Sequence, residues 1–302
     1  MIFHYLKIAF RNLCKHKTQN IISIIGLAVG LLCFCVCIYC SRFVESTDHC
    51  FANHDRIAEL NLYDGKADRY FSGSPVPLAE DLRTWALGET EAISSVTYPR
   101  ERPYYVELSP EKTLPYELET IEIDTCYNKI FTPELVAGHW KMASQSLNSV
   151  ILSQSMAIKI FGNAESAIGK HMTLMRRLNT SPESTPKTGG IVYTIQAVMK
   201  DIPLNNSLDF MQNIDMLTVN DSEGLLQSSK RHNMTGANTY VLLSPQTTCT
   251  DLEKQFSKRD YTYTLYGEAY TVTASSMGAR LKKQGASYLG LVTGTVGTLI
   301  LL

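Results

Sequence analysis

Residues Ile21–Cys40, IISIIGLAVGLLCFCVCIYC, run for twenty positions without a charge. As an α-helix rising about 1.5 Å per residue, that run reaches about 30 Å, the hydrocarbon thickness of a bilayer. It is apolar on every side and lacks the polar stripe of a helix lying on a soluble core. A secretory signal would be shorter, about 7–15 apolar residues, and would end at a small-residue cleavage site. Here the run ends Cys37-Ile38-Tyr39-Cys40-Ser41, which offers no such site. The stretch reads as an uncleaved transmembrane helix, so everything after it must be placed relative to a membrane.

Charge sets the direction. The first twenty residues contain Lys7, Arg11, Lys15 and Lys17 and no acid, whereas Arg42 beyond the run is followed by Glu45 and Asp48. Lysine and arginine collect on the cytoplasmic side, which puts the N-terminus there and residues 41–287 outside. Within residues 2–17, Phe3, Leu6, Phe10 and Leu13 recur at helical spacing, with Lys7, Arg11 and Lys15 every four residues beside them. That pattern predicts an amphipathic helix in the headgroup layer of an anionic leaflet, with Lys7, Arg11, Lys15 and Lys17 at the membrane interface. Gly26 and Gly30 place two positions without side chains on one face of the span, where a second helix can pack closely.

Tyr288–Leu302, YLGLVTGTVGTLILL, is a second uncharged run. Its fifteen residues would cover only about 22 Å as a helix, so they are expected to begin a second transmembrane helix that continues past Leu302. Arg280, Lys282 and Lys283 before it oppose the assigned direction, but the first helix carries more weight.

The stretch between them, 41–287, is long enough for one large or two small domains. Ala92–Tyr98, Thr120–Asp124, Lys170–Arg177, Ile191–Met199 and Asn238–Leu243 read as strands, and Tyr261–Ala274 as one or two more. Asn179–Gly190 reads as a polar hairpin tip. Ser153–Phe161 reads as a helix capped by Ser153 and stopped by Gly162, with Ala157, Ile160 and Phe161 on one face. Thr250-Asp-Leu-Glu253 reads as a capping box opening a helix through Lys258, with Leu252 and Phe256 inward. The class is α+β.

Reactive chemistry is hard to find. Gly162–His171 has six residues between its glycines instead of a phosphate loop's four, and His171 stands where Ser or Thr should ligate magnesium. Cys33, Cys37 and Cys40 fall at helical spacing inside the span, where cysteine packs as a small hydrophobe. Cys50, Cys126 and Cys249 lie in the outer region, an odd number that permits at most one internal bridge of unassigned pairing. His49, Cys50 and His54 read as a polar linker rather than a zinc site. Ser153, Ser155 and Ser207 have no activating context. No catalytic, cofactor-binding or metal-binding residue is expected. With a net charge of −1, nothing points to nucleic acid.

Several stretches resemble the FtsX-like ABC transporter permeases that carry a MacB-type periplasmic core domain. Tyr5–Leu31 is similar to the family's amphipathic entry and first helix, Ser74–Leu82 to its Pro-rich helix start, and Asp124–Trp140 to a stretch ending in a glycine turn. Ile151–Leu174 and Tyr193–Leu208 match most specifically, with Phe161-Gly162, Ile168-Gly169-Lys170, Lys200-Asp201-Ile202-Pro203 and Asn205-Asn206-Ser207.

The resemblance implies residues 1–20 in the cytoplasm, a helix at 21–40, a two-lobed periplasmic domain at 41–287 and a second helix from 288. One lobe would be α/β, and the other β-rich and inserted at roughly 115–225. It further implies a homo- or heterodimer of permeases in the bacterial inner membrane, with an ABC-type ATPase subunit that alone binds ATP, and a periplasmic adaptor. Cargo would be drawn from lipoproteins, peptides, antibiotics or envelope enzymes. The family's three further helices lie outside the chain, which is therefore expected to be part of a longer permease. The competing readings are a membrane-anchored extracytoplasmic sensor or binding module, and an envelope enzyme.

Overall fold

In the computed structural model the described residues are 15, 17–71, 73–109, 112–141, 148–174, 191–209, 212–219, 237–265, 267–279, 281–283 and 285. Most of the expected helix over 2–17, the hairpin tip at 179–190 and the run at 288–302 lie outside them. The chain forms two units, Met1–Thr47 with Arg280–Leu302, and Asp48–Ala279.

The first unit contains helix α1, Lys17–Glu45, none of whose residues is buried. Its twenty-nine residues are more than long enough to cross a bilayer, and Ile22, Leu27 and Phe34 point outward as lipid-facing side chains do. In the same unit Gly285 sits against the end of α1. A Cβ at that position would stand 2.6 Å from Val44 Cγ1, so only glycine permits the approach.

The second unit is built on one continuous set of thirteen strands that divides into an open sheet and a closed barrel. The open sheet runs β3 (Thr90–Thr97), β11 (Ala237–Leu243), β1 (Ile57–Asp64), β13 (Glu268–Ser276) and β12 (Thr262–Leu265), all antiparallel, with short β2 (Arg69–Phe71) on β1. Helices α2 (Val76–Thr84) and α5 (Cys249–Lys258) contribute Leu78, Leu82, Leu252 and Phe256 to a core shared with Leu60, Val241 and Val272 of the sheet.

The barrel comprises β4 (Arg100–Ser109), β5 (Lys112–Ile123), β7 (Ser149–Ser153), β8 (His171–Leu174), β9 (Val192–Met199) and β10 (Met216–Val219). The circuit β5-β10-β7-β9-β8-β4 closes because β10 pairs with β7 on one side and, in parallel, with β5 on the other. All six strands supply one apolar cluster, including Tyr104, Leu118, Leu152, Met172, Ile195 and Met216, so the interior is filled. Met156, Ala157 and Ile160 of α4 (Gln154–Phe161) join it. Ser153 caps α4, its Oγ accepting the Met156 N–H, and Gly162 ends the helix at φ +87°. Phe161 is half-buried and packs against the same cluster, and Met156 joins it on that face.

Sheet and barrel meet at a narrow seam, where β3 and β5 pair only through Val96 and Ile123. Helix α3 (Tyr127–Phe131) lies there, and its Tyr127, Ile130 and Phe131 share a core with Val96, Tyr240, Ile123 and Leu217 from both sides. Short β6 (Leu135–Gly138) then pairs with β9. Gly138 has a positive, left-handed φ, and a Cβ there would lie 2.2 Å from the Gln196 carbonyl oxygen, which explains the glycine near the end of Asp124–Trp140.

The capping box of α5 is Thr248 with Asp251, not Thr250 with Glu253. Thr248 still has extended backbone, whereas Thr250 already lies inside the helix. Glu253 instead accepts the Ala274 N–H at 2.9 Å, tying α5 to β13.

Candidate functional site

Asp48, the first residue of the second unit, is bonded to the loop that joins β9 to β10. Asp48 has a positive φ, a left-handed conformation that Asp and Asn tolerate better than most residues. Its side chain is buried. The Asp48 N–H donates to the Asn205 carbonyl at 3.0 Å. Its carboxylate accepts the Ser207 N–H at 2.6 Å and the Ser207 hydroxyl at 2.5 Å. Hydrogen bonds to a buried ionised group are among the strongest in proteins.

The receiving loop joins β9 to β10 and is shaped by Asn206, which is fully buried. Its Oδ1 accepts the N–H groups of Leu208 at 3.0 Å and Asp209 at 2.9 Å, and its Nδ2 donates to the Pro203 carbonyl at 2.6 Å. Asp201, at the loop's start, accepts the Ser155 N–H at 2.9 Å in the first turn of α4. The Lys-Asp-Ile-Pro and Asn-Asn-Ser segments are thus the parts that anchor this loop at both ends.

Downstream of Asp48 the entry segment binds the seam and the open sheet. Phe51 packs edge-on to Phe131 with centroids 5.0 Å apart, and Asn53 Nδ2 donates to the Ile130 carbonyl at 3.3 Å. The Arg56 guanidinium donates to the Leu243 carbonyl at 2.6 Å and pairs with Glu91 at 2.6 Å.

A second polar cluster holds the seam. Asp124, immediately after β5, is 4 % exposed. Its carboxylate accepts the Ser94 hydroxyl at 2.7 Å, the Ser95 N–H at 2.9 Å and the Cys126 N–H at 3.0 Å, and pairs with Arg83 of α2. Arg83 also donates to the Ile93 carbonyl and to Glu80, so a buried charge is matched on every side. An open cleft of about 230 Å³ beside this pair is lined by Leu82, Arg83, Leu87, Ile93, Cys126 and Lys129.

In each cluster a serine hydroxyl is spent as a donor to the buried carboxylate, Ser207 to Asp48 and Ser94 to Asp124. Burial, and then Asp48, push the Cys50 thiol up to about 11, and burial raises Cys126 and Cys249 as well, the reverse of an activated cysteine. Ser153 is a helix cap and Ser207 a ligand of Asp48. His49 and His54 stack at 4.4 Å, with His54 Nδ1 3.1 Å from Asp55. Among the described residues no three His, Cys, Asp or Glu side chains are grouped as a metal site. Cys50, Cys126 and Cys249 are free thiols.

Of the interface residues, Lys15 and Lys17 are exposed at the start of the apolar helix, while Lys7 and Arg11 lie outside the described residues. A Cβ on Gly26 or Gly30 would meet nothing within 4 Å. Sequence reasoning singled out neither Asp48 nor Asp124, whose partners are brought to them by topology.

One helix long and apolar enough to cross a membrane precedes a domain made of an open sheet and a filled barrel, whose parts are held together by buried polar clusters. The chain belongs to the MacB-like periplasmic core domain family, whose model matches residues 21–259. It is accordingly an ABC transporter permease component with a periplasmic domain, of a kind that is generally non-catalytic. The fold is shared with a domain of a protein assigned as a permease from Porphyromonas gingivalis, at a TM-score of 0.54 and 21 % identity over 75 % of this chain and 93 % of that one. Weaker similarities are to the periplasmic region of MacB from Actinobacillus actinomycetemcomitans (TM-score 0.47, 13 % identity, 76 % and 92 % covered) and to the extracellular domain of the noncanonical ABC-type transporter YknZ from Gram-positive bacteria (0.43, 10 %, 72 % and 99 %). No curated protein matches significantly.

Proposed function

We propose that the chain belongs to a permease whose periplasmic domain moves in response to ATP hydrolysis by an ABC-type ATPase subunit, exporting or extracting envelope substrates. The observation that carries this reading is the clip between Asp48 and Ser207. The first residue of the outer domain after the membrane helix is hydrogen-bonded by backbone and carboxylate to a loop anchored in the barrel. In this reading the clip, three positions past the end of α1 in the chain, is where movement of the helix is passed to the outer domain.

In this reading the N-terminus is cytoplasmic, with Lys7, Arg11, Lys15 and Lys17 at the inner leaflet. Gly26 and Gly30 offer a close-packing face to a helix of the same permease or of its dimer partner. ATP stays on the partner subunit, and a periplasmic adaptor receives the cargo.

Orientation is tested by placing a single reactive cysteine at Gly88, an exposed loop position, in an otherwise cysteine-free chain in intact cells. Labelling by a membrane-impermeant maleimide is the expected result. Protection until the inner membrane is opened would overturn the proposal.

A further inference from the structure

The open sheet leaves one edge unpaired. β12 ends the strand order and bonds only to β13, with Thr262 opposite Thr271, Tyr263 opposite Tyr270, Thr264 opposite Ala269 and Leu265 opposite Glu268. Two residues separate Leu265 from Glu268, so that pair closes the hairpin with hydrogen bonds and bonded pairs alternate from there. Tyr263 therefore bonds back to Tyr270, and the N–H and C=O of Thr262 and Thr264 point away from β13. No hydrogen bond among the described residues takes up these four groups.

Exposed edges are normally guarded by a charge, a proline or a bulge. Short β2 carries Arg69, and β6 has a shift in its register with β9. β12 reads Thr262-Tyr263-Thr264-Leu265, with no charge, no proline and no shift against β13. Thr262 and Thr264 are exposed on one face, while Tyr263 is half-buried on the other against the core that α2 and α5 cover. Such a strand is a template for another strand, and its own sequence supplies the match.

We propose that β12 pairs antiparallel with β12 of a second copy of this chain, about a two-fold axis at Tyr263, joining two open sheets into one. That register sets Thr262 opposite Thr264 of the partner subunit, and Thr264 opposite Thr262 of the partner subunit. Each of these pairs is bonded in both directions, so all four outward groups of each strand are satisfied. The two Tyr263 residues face each other as the non-bonded pair, where side chains stand closest. Threonine and aromatic pairs are favourable cross-strand neighbours, and no like charges meet. A register shifted by one residue would set Tyr263 against a threonine, and the helix-covered face of one sheet beside the threonine face of the other. The ends agree as well. Lys258 and Arg259 precede β12 and Glu268 begins β13, so antiparallel copies bring a basic end to an acidic one. Four hydrogen bonds and one aromatic pair make a weak contact between free molecules. Chains held in one bilayer by α1 meet at a far higher effective concentration. The pairing does not require ATP-driven movement, so it stands or falls separately from the transport cycle.

The test is oxidative crosslinking of the full chain in native membranes, with single cysteines in an otherwise cysteine-free background. Tyr263→Cys should give a covalent dimer of this chain, because the two sulfurs flank the axis within disulfide reach, and Thr262→Cys should give about tenfold less. Co-expressed Thr262→Cys and Thr264→Cys chains should crosslink to each other. Both positions are exposed, so this readout holds even where loss of the Tyr263 ring weakens the fold. Adding Thr264→Pro to Tyr263→Cys should abolish the crosslink while the domain keeps its protease resistance, since proline removes an outward N–H and leaves the ladder with β13 intact. No excess of the Thr262→Cys with Thr264→Cys crosslink over Thr262→Cys alone, a dimer that survives Thr264→Pro, or a crosslink that joins β12 to a different polypeptide would overturn the proposal.

Discussion

Asp48 and Ser207 are 159 positions apart in sequence, yet one carboxylate takes both the backbone N–H and the hydroxyl of the other residue. The pair fixes the first residue of the second unit to the loop between β9 and β10. Removing the carboxylate strands a buried N–H and hydroxyl, a loss of about 2–3 kcal/mol for bonds to a charged group. Asp48→Ala is expected to lower outer-domain stability by that amount in chemical unfolding. Asp48→Asn, which tolerates the same left-handed backbone and keeps one acceptor, should lose about half as much.

Arg83 and Asp124 tie α2 to the seam between sheet and barrel. Asp124→Ala leaves Arg83 facing a void and also frees the Ser95 and Cys126 N–H groups. Breaking one side of a buried pair costs about 3–5 kcal/mol. Arg83→Met should cost less, because Arg83 is partly exposed. The double variant should be less destabilised than the sum of the two, as a double-mutant cycle in urea would read.

At the start of α5 the Thr248 hydroxyl, then Lys254, hold the Asp251 carboxyl down to about 2. A depressed acid stabilises the fold above its ordinary pKa, near 4, and that contribution is lost as pH falls toward 2. A carbon-13 titration of the Asp251 carboxyl should show the low midpoint in wild type. Thr248→Ala should move it upward toward the ordinary value.

Gly285 and Val44 are matched by size. Gly285→Leu cannot be seated against the Val44 side chain and should part the two segments, read as a loss of cysteine crosslinking between neighbouring positions. Gly285→Ala should weaken the crosslink partially, and adding Val44→Ala should restore it.

How much of this was legible in sequence follows from how local each signal was. The apolar run of α1, the Ser153 cap with its Gly162 stop, and the apolar run Asn238–Leu243 depend on near neighbours, and each appears where its residues predict. The hairpin β4–β5 was largely unread because Pro103 and Pro115 interrupt its alternation of Tyr104, Val106, Leu114 and Leu118. The fold admits both prolines where a strand lacks a second partner. β8 covers β4 only from Tyr104 to Val106, and β10 covers β5 only from Thr120 onward. Barrel closure rests on a parallel pairing of β5 with β10, far apart in the chain, which no local pattern encodes. The same holds for the site. Asn206 and Ser207 were noticed through family resemblance, but only the closed fold brings Asp48 to them.

The central claim is that helix movement reaches the outer domain through the Asp48–Ser207 clip. It is tested most directly in the complete permease with its ATPase subunit, by measuring spin-label distances from residue 88 to the membrane surface through the ATP cycle. Wild type should change distance between the ATP-bound and nucleotide-free states, and Asp48→Ala with Ser207→Ala should abolish that change while ATP hydrolysis continues. An unaltered distance change in the clip-free permease would contradict the account.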